Sequence, residues 1–152
     1  MLELLNTLDL EDFLNQFVPQ ILPLESAKWF ALDCAKFVLP RFEEQYPSDK
    51  TVRNCIEVNE SFLKGTSTLD DLLKPSDGAF DAATAALDAD NYNAYTAACA
   101  ACYSSDGAYT AAYGALGAAY DATSSAVLKA YYGSKDEMQG FVKNWIDQYF
   151  NI

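Results

Sequence analysis

The chain has no histidine, and between Lys74 and Lys135 it carries a single base, Lys129. Without imidazole, histidine triads and histidine-ligated metal sites are excluded. Neither of the glycine-rich phosphate loops, GxxxxGK[ST] or GxGxxG, occurs. No window approaches the roughly 18 apolar residues that a membrane span needs. The opening residues, Met1 to Asp12, lack a basic region followed by an apolar run, so we expect no secretory signal and a cytoplasmic protein. Runs of alternating Val, Ile or Thr are also missing, which removes the usual signature of strands.

What is present is helix-forming and acidic. Hydrophobic residues make up 51% and aromatic residues 14% of 152 residues, enough for a folded core rather than a disordered chain. We expect residues 1–152 to form one all-α domain, an antiparallel bundle of about six to eight helices. The net charge is −12. Such a charge favours a basic partner and disfavours nucleic acid or an anionic membrane. The four cysteines, Cys34, Cys55, Cys99 and Cys102, are expected to be reduced. Cys99 and Cys102 have CxxC spacing but no second ligand pair, so they read as small apolar residues facing a neighbouring helix. We expect no metal and no cofactor.

Helix punctuation is frequent. Asp9 is placed to cap a helix to about Val18, and Ser26 to cap one from Ala27 to about Tyr46, bent or divided at Pro40. A helix from Lys50 to Lys64 follows and ends at Gly65. Pro75-Ser76-Asp77-Gly78 reads as a linker and Ser104-Ser105-Asp106-Gly107 as a break. Between and after them we expect alanine-rich helices at Ala79–Ala89, Tyr92–Tyr103 and Ala108–Tyr131. Their apolar lines would be Phe80, Ala83 and Leu87, then Tyr92, Tyr95, Cys99 and Cys102, then Tyr109, Tyr113, Leu116, Tyr120 and Val127. Gly114 and Gly117 would permit a close helix crossing. Ser134 and Glu137 would form a capping box, opening a last helix that buries Met138, Phe141, Val142, Trp145 and Phe150.

Residues 65–128 hold eight acids, all aspartate, against the one base Lys74. Aspartate builds helix less well than glutamate, so helix formation does not explain the choice. Part of it is capping, since Asp77, Asp90 and Asp106 sit where caps are wanted. The functional reading is that Asp70, Asp71, Asp81, Asp88 and Asp90, with Tyr92 and Tyr95, form the surface that binds a basic protein partner.

Residues 27–43 read Ala-Lys-Trp-Phe-Ala-Leu-Asp-Cys-Ala-Lys-Phe-Val-Leu-Pro-Arg-Phe-Glu, followed by Tyr46-Pro-Ser-Asp49 and Arg53-Asn-Cys-Ile-Glu57. This stretch resembles a family of bacterial immunity proteins from polymorphic-toxin neighbourhoods. Its members have an A-L-D/E-C-A-E-x-x-L-P-x-F-E helix, then P-x-D-x-R-P-R-x-A-I-E, then an alanine-rich helical remainder. The matches are Ala31, Leu32, Asp33, Cys34, Ala35, Leu39, Pro40, Phe42 and Glu43, then Pro47, Asp49, Arg53, Ile56 and Glu57. The family's Arg-Pro-Arg is Thr51-Val52-Arg53 here, and the histidines common in its alanine-rich part are absent. The resemblance implies a cytoplasmic antidote that binds and neutralises a cognate toxin, and we expect it to be non-enzymatic. Asp33 and Arg53, on consecutive helices, are expected to form a structural ion pair. Two other readings stand beside it: a small enzyme with a carboxylate-based site, and a structural or homo-oligomeric helical module.

Overall fold

The structure, a computed structural model, describes residues 9–150. Among them are seven α-helices, one π-helical turn and no strand. In chain order the α-helices are α1 (Leu10–Gln16), α2 (Leu24–Gln45), α3 (Thr51–Leu63), α4 (Leu69–Asp88), α5 (Tyr92–Ala112), α6 (Leu116–Gly133) and α7 (Lys135–Phe150). The chain is all-α, as its composition predicts. Of the opening residues, Met1 to Leu8 lie outside the described part.

α1 does not run to Val18. It passes into a π turn, Phe17–Ile21, closed by the Leu22 N–H to the Phe17 carbonyl at 3.0 Å. Pro19 has no N–H to offer an α turn, and the wider turn goes around it. α2 starts before Ser26, at Leu24, and Ser26 instead meets the Tyr149 hydroxyl at 2.8 Å. Pro40 neither divides nor ends α2. It sits on the exposed side, where water can take the carbonyl that its missing N–H leaves free, while Val38, Leu39 and Phe42 stay buried around it. α3 opens where the Asp49 carboxylate accepts the Thr51 N–H at 2.9 Å, and it buries Val52, Cys55, Ile56 and Asn59.

The alanine-rich half is cut differently from the sequence expectation. α4 runs straight through Pro75–Gly78, started by a capping box between Thr68 and Asp71. α5 runs straight through Ser104–Gly107. In both, a buried stripe continues across the turn-like residues and overrides them. In α4 this stripe is Leu72, Ser76, Ala79, Ala83 and Ala86. In α5, buried Ser104 accepts a hydrogen bond from Asn59 at 3.0 Å. The chain turns instead at Gly114, whose φ of +75° suits glycine. Gly114 and Gly117 therefore make no helix crossing, and a Cβ at either would meet nothing. Gly107 does: a Cβ there would lie 2.6 Å from Thr123 Cγ2 of α6. The Ser134–Glu137 capping box is not formed, since the Ser134 hydroxyl donates to the Ala130 carbonyl and Glu137 pairs with Arg41.

Two kinds of packing hold the helices. α5 lies against α4, α6 and α2 through alanines, with Ala94, Ala97, Ala98, Ala100, Ala101 and Ala108 all buried. α7 stands off from α2 behind rings: Phe30 meets Trp145 at 4.6 Å between centroids, and Phe37 stacks on Phe141 at 4.5 Å. Phe150, expected in the core, is part-exposed at the end of α7, while Met138, Val142 and Ile146 are buried.

Gly133 closes α6 against α5, and a Cβ there would fall inside the van der Waals envelope of the Thr96 hydroxyl. Gly133→Ala is expected to destabilise the fold by about 1–3 kcal/mol, the usual cost of overpacking. Urea denaturation checks this, and an unchanged midpoint would mean that the contact yields freely.

Candidate functional site

The packing of α4 buries Leu72 with its small residues and leaves three other large side chains outside. With Leu72, Ser76, Ala79, Ala83 and Ala86 turned inward, Leu73, Phe80 and Leu87 recur every seven residues along one flank. At about 100° per residue they form a single stripe. They are 45%, 58% and 48% exposed. The sequence reading gave Phe80 and Leu87, with Ala83, as the apolar line of this helix, and only Ala83 is buried. The reason for the difference is that α4 and α5 approach through small residues, and a large side chain on that line would hold the helices apart.

Asp70, Asp77, Asp81 and Asp88, separated by seven, four and seven residues, make a second stripe that points directly away from the core. All four are exposed. Every ion pair among the described residues takes a glutamate as its acid: Glu25, Glu43, Glu57, Glu60 or Glu137. No aspartate of α4 enters one. Six of the ten bases are spent on those glutamates, and all six lie in α2, in α3 or directly beside α3.

Between α4 and α5 the apolar stripe borders a groove. One stretch, with a cavity of about 180 Å³, is lined by Phe80, Leu87, Tyr95, Cys99, Cys102 and Tyr103. A smaller one, about 120 Å³, lies beside Leu73, Asp77, Asp106 and Tyr109. Further exposed rings and apolar groups follow around the α5–α6 turn, at Tyr113 and Leu116.

The residues expected to bind a partner fall on this face in different ways. Asp70, Asp81 and Asp88 stand on the outer ridge of α4. Asp71 is occupied as the cap, accepting the Thr68 N–H at 2.8 Å, which holds its carboxyl below the ordinary value. Asp90 sits in the α4–α5 turn with φ +56°, and Tyr92 is exposed just after it. Tyr95 is half-buried and engaged by Lys129, whose ammonium lies 3.3 Å from its hydroxyl and 4.9 Å from its ring centre. The set is thus a line along a 20-residue helix and its turn, about 30 Å long, rather than one cluster. Leu73, Phe80 and Leu87 belong with it and were missed. Their heptad spacing was visible, but so was the default that large apolar residues go inside.

A part-buried polar contact stitches the groove floor. The Ser76 hydroxyl donates to Asp106 Oδ1 at 2.9 Å, and the Cys102 thiol lies 3.9 Å from Oδ2. Burial first, then the Asp106 charge, pushes the Cys102 thiol up to about 12, so it is no nucleophile near neutrality. All four cysteines are buried free thiols. Burial, followed in the same direction by the charge of Asp77, holds the Asp106 carboxyl above the ordinary value, while the Ser76 hydrogen bond pulls it back. A carboxyl raised in the folded state binds its proton more tightly there than when unfolded. Its ionisation therefore opposes folding, with no effect below the unfolded pKa of about 3.9 and a growing one as pH rises through the folded value. Asp106→Asn keeps an acceptor for Ser76 and removes that ionisation. Its stability relative to the unmodified chain should improve from acid to neutral pH. Chemical denaturation across that range checks this, and a pH-independent difference contradicts it.

The expected pairing of Asp33 with Arg53 is not made. Arg53 is bound by Glu43, with Nε–Oε2 at 2.8 Å and Nη2–Oε1 at 2.5 Å, and approaches Glu57 at 4.0 Å. Asp33 accepts the indole N–H of Trp145 at 2.9 Å. A bidentate carboxylate ten residues away on the facing helix end is the better geometric match for a guanidinium. The motif residues thus fasten the α2–α3 hairpin through Glu43 and dock α7 through Asp33.

Among the described residues, no helix is long and apolar enough to cross a membrane. No curated protein and no solved structure matches the chain. The family model described as "Imm-5 like putative immunity protein" matches residues 25–150, from the start of α2 to the end of α7. With that extent of match, and with the motif helices and the alanine-rich helices arranged as above, this chain belongs to the Imm-5 like immunity protein family.

Proposed function

We propose that this protein is a non-enzymatic cytoplasmic immunity protein that inactivates a cognate toxin by binding it through the α4–α5 face. Family membership supports the immunity role. The observation that supports this face is the ridge of aspartates without ion-pair partners among the described residues, set beside exposed Leu73, Phe80 and Leu87. Apolar groups beside uncompensated charge give anchors together with electrostatic steering. The partner face is basic. A second copy of this chain fits less well, because two-fold pairing would set the aspartate ridge against itself.

The test is co-expression with the toxin encoded beside this gene. Growth should be rescued, and the affinity of the purified complex should fall steeply as salt rises. Rescue with an affinity indifferent to salt would leave the immunity role standing and remove the acidic face as its basis.

A further inference from the structure

A second surface feature lies between α2 and α7 and shares no lining residue with the α4–α5 groove. α2 and α7, held apart by their rings, leave an open cavity of about 460 Å³ lined by Asp33, Lys36, Phe37, Phe141, Asn144, Trp145 and Gln148. Its chemistry is uneven. Phe37 and Phe141, stacked at 4.5 Å, form an apolar wall. Asn144 and Gln148, one turn apart on α7 and exposed, present amide groups. Asp33 contributes the one carboxylate. Its Oδ2 is fixed by the Trp145 N–H, and its Oδ1 accepts no hydrogen bond from the described residues.

That carboxylate lacks a countercharge in contact. Lys36 is held 2.6 Å from Glu60 Oε1 on α3. Burial, more than any other cause, raises the Asp33 carboxyl above the ordinary value. A half-buried acid, oriented by an indole, walled by rings and open on one oxygen, has only Lys36 as a neighbouring cation, and Lys36 is itself paired with Glu60.

We propose that the α2–α7 cavity binds a guanidinium group carried on an aliphatic stem, the side chain of an arginine in a protein partner. The stem lies along Phe37 and Phe141, and the planar fork donates to Asp33 Oδ1 and to the amide carbonyls of Asn144 and Gln148. A free amino acid fits less well, because the cavity's single base is committed to Glu60 and no cation is left to pair with an α-carboxylate. This site does not rest on the α4–α5 reading and can be tested without a toxin.

The experiment titrates Nα-acetyl-L-arginine amide into the full chain and follows the Trp145 indole N–H resonance by NMR. The neutral isostere Nα-acetyl-L-citrulline amide serves as control, and free L-arginine distinguishes a metabolite from a polypeptide side chain. We expect a saturable shift with a dissociation constant on the order of millimolar for so small a probe. The citrulline compound should give none, and free arginine should bind no tighter than the capped form. Asp33→Asn, which can still accept the Trp145 N–H, should weaken binding roughly 10- to 100-fold. Gln148→Glu, an exposed change that adds a second carboxylate, should tighten it. Equal shifts from the citrulline control, unchanged binding by Asp33→Asn, or no saturable shift would overturn the site. Tighter binding of free arginine would overturn its assignment to a protein partner.

Discussion

Replacing Asp77, Asp81 and Asp88 together by lysine is expected to abolish protection against the toxin while the bundle stays folded. The three carboxylates are exposed and in no ion pair among the described residues. Exposed substitutions of this kind usually change stability by only about 0.5 kcal/mol. Lysine builds helix better than aspartate, and at position 88, in the last turn of α4, its charge also suits the helix dipole. The effect on binding is of another size. A basic toxin surface now meets like charge, which costs several kcal/mol, and affinity should fall on the order of 100-fold or more. Association should slow most, and the salt dependence should flatten or invert. The control is an equal change of net charge elsewhere, at exposed Asp12, Glu44 and Glu57. That variant should bind nearly as the unmodified chain does. Equal losses in both variants would mean that overall charge, not the α4 ridge, governs binding. Phe80→Ala supplies the apolar half of the test: unchanged stability, with affinity lowered about tenfold or more if Phe80 is an anchor.

The ridge illustrates what the sequence could and could not reveal. Of the eight aspartates among residues 65–128, the seven that are exposed were legible as surface, since charge without countercharge stays in water, while Asp106 is part-buried. The alignment of Asp70, Asp77, Asp81 and Asp88 on one helix was not, because Pro75-Ser76-Asp77-Gly78 has every local mark of a linker. The continuous helix is decided by tertiary contact: Ser76, Ala79 and Ala83 are buried against neighbouring helices, and Gly78 lets α3 approach at Thr51. The same conflict recurs at Ser104–Gly107, where each small residue is a packing residue. In α5 alanine is buried around most of the helix, so no contrast between faces exists to be read. The first half was easier. Large apolar residues at helical spacing in α2 and α3 mark one buried side, and Pro47 with Asp49 marks the turn between them. The Asp33–Arg53 pairing failed for a geometric reason. Adjacent helices bring many acids near an arginine, and only coordinates tell which one meets both ends of its fork.

The two packing regimes are expected to fail in opposite directions. Phe30 is wholly buried, with its ring 5.5 Å from Phe17 and 4.6 Å from Trp145. Phe30→Ala empties a space that α2 and α7 cannot close, because Phe37 on Phe141 holds the same helices apart further along. A cost of about 3–5 kcal/mol follows from lost burial and the cavity together. That is a large part of the 5–15 kcal/mol that typically holds a domain folded. At the α5–α6 seam truncation has little to remove, and enlargement does the damage. Gly107 faces Thr123, whose hydroxyl is itself tied to the Ala119 and Tyr120 carbonyls at 3.0 Å, so the threonine has no room to retreat. Gly107→Leu should force the helices apart and cost about 3 kcal/mol, at the upper end of overpacking. The pair separates by a third measurement. Xenon or benzene should bind the Phe30→Ala cavity and raise its melting temperature, and should do nothing for Gly107→Leu. Rescue of both, or of neither, would show that the aromatic and alanine-rich seams are not mechanically distinct.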